Sequence, residues 1–113
     1  MDTGQVLDIG ATLPGWLTDR KCTAADMDGD AEGLTDARRD EIAGLRRSAE
    51  AYLDIYNGDF DFMLSMRKQW VDGAYPLSNA KVSGVLNCLR AEVAFRKRNT
   101  RSGLDRVNGG AAG

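Results

Sequence analysis

Three stretches of regularly spaced apolar residues between positions 35 and 98 constrain the fold most strongly. In the first stretch, apolar side chains recur every three or four residues, which is the spacing of one face of an α-helix. These residues are Ile42, Leu45, Ala49, Tyr52, Leu53 and Tyr56. The pattern predicts a helix over residues 35–57. We expect Thr35 to be its N-cap, and Asn57-Gly58 to stop it because glycine takes the left-handed conformation easily.

A second helix is predicted over residues 60–72, where Gly73 follows a broad apolar face. That face consists of Phe60, Phe62, Met63, Met66, Trp70 and Val71. Because helical spacing makes the protein core the default location for such residues, most of them should be buried. The face is wide for so short a helix, however, so part of it is also a candidate surface for a protein partner or a second copy of the chain.

A third helix is predicted over residues 78–98, with Ser78 as N-cap and a hydrophobic staple between Leu77 and Val82. Short connections between the three helices favour antiparallel packing, so we expect an all-α fold built on a compact three-helix bundle, residues 34–98. The residues expected in its core are Leu53, Met66, Val85, Leu86 and Leu89.

The segments on either side of the bundle carry weaker patterns. Residues 1–33, the N-terminal arm, are acidic and rich in glycine, and we expect them to be irregular. Two alternatives stay open for the arm: an extended segment that docks Trp16 and Leu17 on the helices, or a disordered leader. Residues 99–113 are polar and glycine-rich, which predicts a flexible, disordered C-terminal tail.

Composition argues against catalysis and against metal binding. The chain has no histidine, which removes the commonest general base and the commonest zinc ligand. Residues 26–30 resemble the start of a calcium loop, but Ala31 and Ala37 stand where that loop needs glycine and a bidentate glutamate. We therefore expect an acidic solvated loop, no metal, no cofactor and no enzymatic activity.

The two cysteines and the N-terminus indicate a reducing compartment. No run approaches the roughly 20 apolar residues of a transmembrane helix, and no basic segment precedes an apolar one at the N-terminus. We therefore expect a cytoplasmic protein with no membrane association. Cys22 and Cys88 are expected to be reduced, with Cys22 in the loose arm reacting quickly and Cys88 slowly.

Charge is distributed unevenly along the chain. Residues 1–57 contain 6 basic and 12 acidic groups, whereas residues 58–113 contain 9 basic and 5 acidic groups. The basic residues near the end of the third helix are Arg90, Arg96, Lys97, Arg98, Arg101 and Arg106. They are candidates for phosphate contacts with nucleic acid, or they form a solubilising helix end favoured by the helix dipole. They are not interleaved with a run of aromatic residues, so a platform for stacking bases is not predicted.

Residues 59–92 resemble a helical hairpin found in small uncharacterised proteins of bacteriophages, especially those of actinobacteria. The elements that carry the resemblance are Phe60-Asp61-Phe62-Met63, Gly73, Leu77-Ser78 and Gly84-Val85-Leu86-Asn87-Cys88-Leu89-Arg90. The hairpin is a folding signature, so the resemblance implies no functional residue. It does imply a phage-encoded accessory protein acting in the host cytoplasm.

These observations favour a non-enzymatic interaction protein that binds and modulates a host or phage protein. The candidate protein-binding residues are Trp16, Phe60, Phe62, Met63 and Trp70. The alternative is an accessory protein that binds nucleic acid through Arg90, Arg96, Lys97, Arg98 and Arg101; the net charge of −2 counts against it.

Overall fold

Every regular element is helical in the described part of the computed structural model. That part comprises the backbone of residues 2–73 and 76–112 and the side chains of residues 5–73 and 76–98. The elements are α1 Asp2–Gly10, α2 Gly15–Asp19, a 3₁₀ turn Ala25–Met27, α3 Asp36–Ile55, α4 Asp61–Asp72 and α5 Asn79–Ala112. The all-α prediction is confirmed, but the described residues form five α-helices, and the compact three-helix bundle is not confirmed.

The predicted caps form as expected at three helix ends. Thr35 Oγ1 accepts a hydrogen bond from the backbone N–H of Arg38 at 3.1 Å, and Ser78 Oγ accepts one from the backbone N–H of Lys81 at 3.2 Å. Each hydroxyl satisfies a donor that the first helical turn leaves without an intrahelical partner. Gly73 ends α4 in the left-handed conformation, with φ of 67°.

The prediction that Gly58 ends the helix by taking the left-handed conformation is wrong. Helix α3 ends earlier, at Ile55, because Tyr56 adopts an extended backbone conformation. Positive φ occurs in the described chain only at Gly33 and Gly73. Gly58 is instead needed for space, since a Cβ atom there would lie 2.5 Å from the Tyr56 hydroxyl oxygen.

The prediction of an irregular arm is also wrong, because the arm folds into short helices that complete the core. Its buried residues are Val6, Leu17, Cys22 and Met27. Helix α1 packs against α3 and α5. A Cβ atom at Gly10 would lie 2.3 Å from Val93 Cγ2, so glycine permits this close approach of α1 to α5. Such short helices are stabilised by tertiary packing rather than by helix propensity, which explains why the sequence pattern did not reveal them.

Two side chains of α5 hold the backbone of the arm in place. Asn87 accepts a hydrogen bond from the Cys22 N–H at 2.6 Å and donates one to the Cys22 carbonyl at 2.9 Å. Arg90 donates to the Leu17 carbonyl at 2.6 Å and to the Thr18 carbonyl at 2.9 Å. These contacts satisfy backbone groups that the short arm elements cannot pair among themselves.

Trp16 fastens the arm to α3. Its ring lies between two guanidinium groups, 4.7 Å from Arg20 and 5.1 Å from Arg38, and its indole N–H donates to Glu41 at 3.2 Å. Arg20 forms a bidentate ion pair with Asp26 at 2.8 Å. This pairing holds the pKa of the Asp26 carboxyl well below its usual range. Of the two alternatives for the arm, docking of Trp16 and Leu17 is confirmed, but the arm contains short helices and is not an extended segment.

The predicted core is confirmed, since Leu53, Met66, Val85, Leu86 and Leu89 are all buried. Helix α5 extends past its predicted end near residue 98 and continues to Ala112. No proline follows Pro76, so nothing in the sequence prevents the helical backbone from continuing. The side chains of the tail lie outside the described residues, and its flexibility stays a prediction.

The docked arm changes the order of cysteine reactivity that we expect. Both cysteines are free thiols, as expected. Cys22 is buried, and burial raises its pKa to about 11, whereas Cys88 is half-buried with its pKa raised chiefly by burial and then by Glu92. In the native protein we therefore expect a thiol reagent to modify Cys88 first and Cys22 only on unfolding.

The single variants Cys22→Ser and Cys88→Ser show which cysteine gives the fast phase and which gives the slow phase of thiol modification. A spectrophotometric time course of thiol modification, with and without denaturant, measures the rates. Modification of native Cys22 as fast as that of Cys88 would contradict the docked position of the arm.

Candidate protein-interaction surface

Large exposed apolar side chains are concentrated on α4 and one turn of α5. Among the described residues they are Phe60, Leu64, Val71 and Phe95, with exposed fractions of 56%, 42%, 66% and 54%. Phe60, Leu64 and Val71 are spaced by four and seven residues. With 100° per residue they lie within about 40° of one another around the helix axis. These three residues form one solvent-facing row, here called the outer stripe.

A cleft connects the start of the outer stripe to α5. It has a volume of about 280 Å³ and is lined by Tyr52, Tyr56, Phe60, Met63, Cys88, Ala91 and Glu92. We call it the aromatic cleft. Phe95 follows Ala91 by four residues and therefore lies on the same face of α5, one turn further along. The cleft thus lies between Phe60 and the turn of α5 that precedes Phe95.

Polar groups in the aromatic cleft are bonded to one another. The Tyr52 hydroxyl donates to Glu92 Oε1 at 2.9 Å, and Arg96 Nε donates to Glu92 Oε2 at 3.2 Å. Burial, followed by the Glu92 carboxylate, raises the pKa of the Tyr52 phenol well above its usual value. Because both carboxylate oxygens and the phenol are engaged, the cleft is suited to apolar contact rather than to proton transfer.

Two cations flank the distal half of the outer stripe. Arg67 and Lys68 line a shallow groove of about 260 Å³ together with Leu64, Val71 and Asp72. Neither cation makes a hydrogen bond or ion pair with any residue that the structure describes. Both are free to meet acidic groups on a partner, and electrostatic complementarity of this kind increases association rates.

The structure separates the five predicted protein-binding residues. Phe60 is exposed on the outer stripe, whereas Met63 is buried in the core and contributes only to the wall of the aromatic cleft. Phe62 is half-buried, and its ring packs against Gly84. Trp70 is half-buried, and its indole N–H donates to Asp54 at 2.8 Å. Trp16 anchors the arm, away from α4.

Sequence reasoning missed Leu64, Val71 and Phe95 as site residues. The spacing of Phe60, Leu64 and Val71 was an available signal, since it places them on a different side of the helix from Met63 and Met66. Two apolar sides on one short helix indicate that one faces the core and the other faces solvent or a partner.

The described members of the predicted basic cluster differ in their contacts. Arg96, Lys97 and Arg98 are consecutive, so their side chains leave the helix about 100° apart. Arg90 is bound to the arm carbonyls, and Arg96 pairs with Glu92. Lys97 and Arg98 are exposed and make no ion pair with described residues. The side chain of Arg101 lies outside the described residues.

Metal ligands are not assembled in the described part of the chain: it holds no group of three His, Cys, Asp or Glu side chains suited to a metal ion. Within the same part, no helix has the length and apolar character needed to cross a membrane. No family model, curated protein or solved structure matches this chain. The resemblance of residues 59–92 to phage proteins therefore stays a prediction.

Proposed function

We propose that this protein is a non-enzymatic interaction module that binds a protein partner through the outer stripe and the aromatic cleft. The observation that supports this is the placement of all four large exposed apolar residues of the described chain on α4 and the adjoining turn of α5. Exposed apolar residues gathered on one side are typical of protein-binding surfaces, in which buried aromatic anchors supply much of the affinity.

Nucleic acid is the weaker alternative. Among the described members of the predicted basic cluster, Arg96 pairs with Glu92, Arg90 is bound to the arm carbonyls, and the exposed Lys97 and Arg98 leave α5 about 100° apart. Affinity for nucleic acid depends on several phosphate contacts made together. The large exposed apolar residues on α4 and α5 favour contact with a protein.

The proposed mechanism is steric: the module occupies part of its partner's surface. The module covers a surface of its partner, with Phe60 and Phe95 as apolar anchors and with Arg67 and Lys68 beside acidic groups of the partner. By the hairpin resemblance, we place the chain among phage-encoded proteins and its partner among host or phage proteins of the cytoplasm. A second copy of the chain is the other candidate partner.

Affinity capture with matched variants tests this proposal. The full-length protein is immobilised and exposed to actinobacterial lysate with and without nuclease treatment, and bound proteins are identified by mass spectrometry. The double variant Phe60→Ser with Leu64→Gln should reduce specific capture by at least roughly tenfold, since hot-spot residues contribute 2 kcal/mol or more. The control is Arg39→Ser with Arg47→Ser, two residues equally exposed on α3.

Sedimentation of the purified protein provides the second measurement. A dimer that the Phe60 and Leu64 double variant converts to a monomer would identify a second copy as the partner. Capture that the double variant leaves unchanged would contradict the proposal. Capture that is lost on nuclease treatment would support the nucleic-acid alternative.

A further inference from the structure

A second cleft lies between the arm and the later part of α5, separate from the outer stripe. It has a volume of about 260 Å³ and is lined by Leu13, Thr18, Arg90, Ala91, Val93, Ala94 and Lys97. We call it the arm cleft. Four of its seven lining residues are aliphatic, so it offers apolar contact to a small ligand.

Arg90 places a fixed positive charge at this cleft. Its Nε and Nη2 atoms donate to the carbonyls of Leu17 and Thr18, which hold the guanidinium in one position. Both partners are neutral, and Arg90 forms no ion pair with any carboxylate among the described residues. The side chain is half-buried, and a cation partly removed from water without a counter-charge attracts an anion more strongly than an exposed one does.

Lys97 supplies a second cation on the same face of α5. Residues 90, 94 and 97 are spaced by four and three, so the side chains of Arg90 and Lys97 flank Ala94. Lys97 is exposed and makes no hydrogen bond or ion pair within the described chain. The cleft therefore combines an aliphatic wall with two cations that no described acidic side chain neutralises.

We propose that the arm cleft binds a short aliphatic carboxylate. The hydrocarbon chain packs on Leu13, Val93 and Ala94, and the carboxylate lies between Arg90 and Lys97. A neutral alkyl ligand leaves both charges without a counter-ion, and a bare inorganic anion leaves the aliphatic wall exposed to water. Only a ligand with both parts uses the whole cleft.

Octanoate is the probe for this site, titrated into the full-length protein and followed by ¹H–¹⁵N NMR. We expect saturable shifts in the amides of Leu13 and residues 90–97. Lys97→Met should weaken octanoate binding roughly tenfold, because it removes one charged partner of the carboxylate. The control Arg98→Met removes a neighbouring cation that does not line the cleft and should leave affinity unchanged.

A second variant tests the aliphatic wall without touching either charge. Ala94→Phe fills the cleft from an exposed position and should abolish the octanoate-dependent shifts. Ala80→Phe, at an equally exposed position on the same helix, should leave them unchanged. Octanol or inorganic phosphate binding as tightly as octanoate would overturn the proposal. So would octanoate shifts that are absent, or that survive Ala94→Phe in a folded variant.

Discussion

Replacing Leu86 with alanine should lower the free energy of unfolding by about 2–5 kcal/mol. Leu86 is completely buried, and its helix α5 contacts α1, α3, α4 and the 3₁₀ turn. The truncated side chain leaves a cavity. Because helices pack around this position from several sides, they cannot all move inward to fill it. A domain of this size has a total stability on the order of 5–10 kcal/mol, so the loss is a large fraction of the whole.

Urea denaturation followed by circular dichroism measures this change. The matched control is Leu64→Ala, which removes the same atoms from an exposed position on the outer stripe and should change stability by no more than about 0.5 kcal/mol. An unfolding midpoint for Leu86→Ala equal to that of the parent would show that α5 does not form the centre of the core.

Helices α3 and α4 and the start of α5 could be predicted because their apolar spacing extends over several turns. Thr35 and Ser78 added local signals, since a hydroxyl before an apolar stripe can bond the first free amides. The arm could not be predicted in the same way. Its two short helices contain few turns, and their buried residues, such as Val6 and Leu17, are stabilised by α3 and α5 rather than by one another.

The interaction surface was only partly predictable from α4. Phe60, Met63 and Leu64 are all apolar, and apolar spacing alone does not show which side of so short a helix meets the core. The structure places Met63 in the core and leaves Phe60 and Leu64 exposed. The packing of α4 against α3 and α5 determines which side of α4 is buried. The local sequence pattern of α4 does not show this.

The arm cleft was hidden from sequence reasoning for a different reason. In the sequence, Arg90 is one of several basic residues near the end of a helix, and the pattern predicts for it the same role as for the others. Its fixed position depends on the carbonyls of Leu17 and Thr18, which are more than 70 residues away in sequence. A sequence shows which side chains are charged, but the identity of their partners depends on the fold.

Deleting residues 1–33 should abolish cooperative folding of the remaining chain. The deletion removes Leu17 and Met27, both fully buried, and uncovers the α5 surface on which α1 packs. It also leaves Asn87 and Arg90 without the backbone groups that they bind. Loss of several buried side chains together exceeds the roughly 5–10 kcal/mol that stabilises a domain of this size.

Thermal unfolding of the fragment 34–113, followed by circular dichroism, checks this result. We expect a broad transition without a defined midpoint, in contrast to the sharp transition of the full chain. Adding a peptide of residues 1–33 should restore cooperativity, since the docking contacts do not depend on chain continuity. The same peptide with Leu17→Ala should restore it less well, because the Leu17 side chain is buried. A fragment 34–113 that unfolds as sharply as the full chain, and at the same temperature, would show that the three long helices form a bundle by themselves and that the arm contributes nothing to their stability.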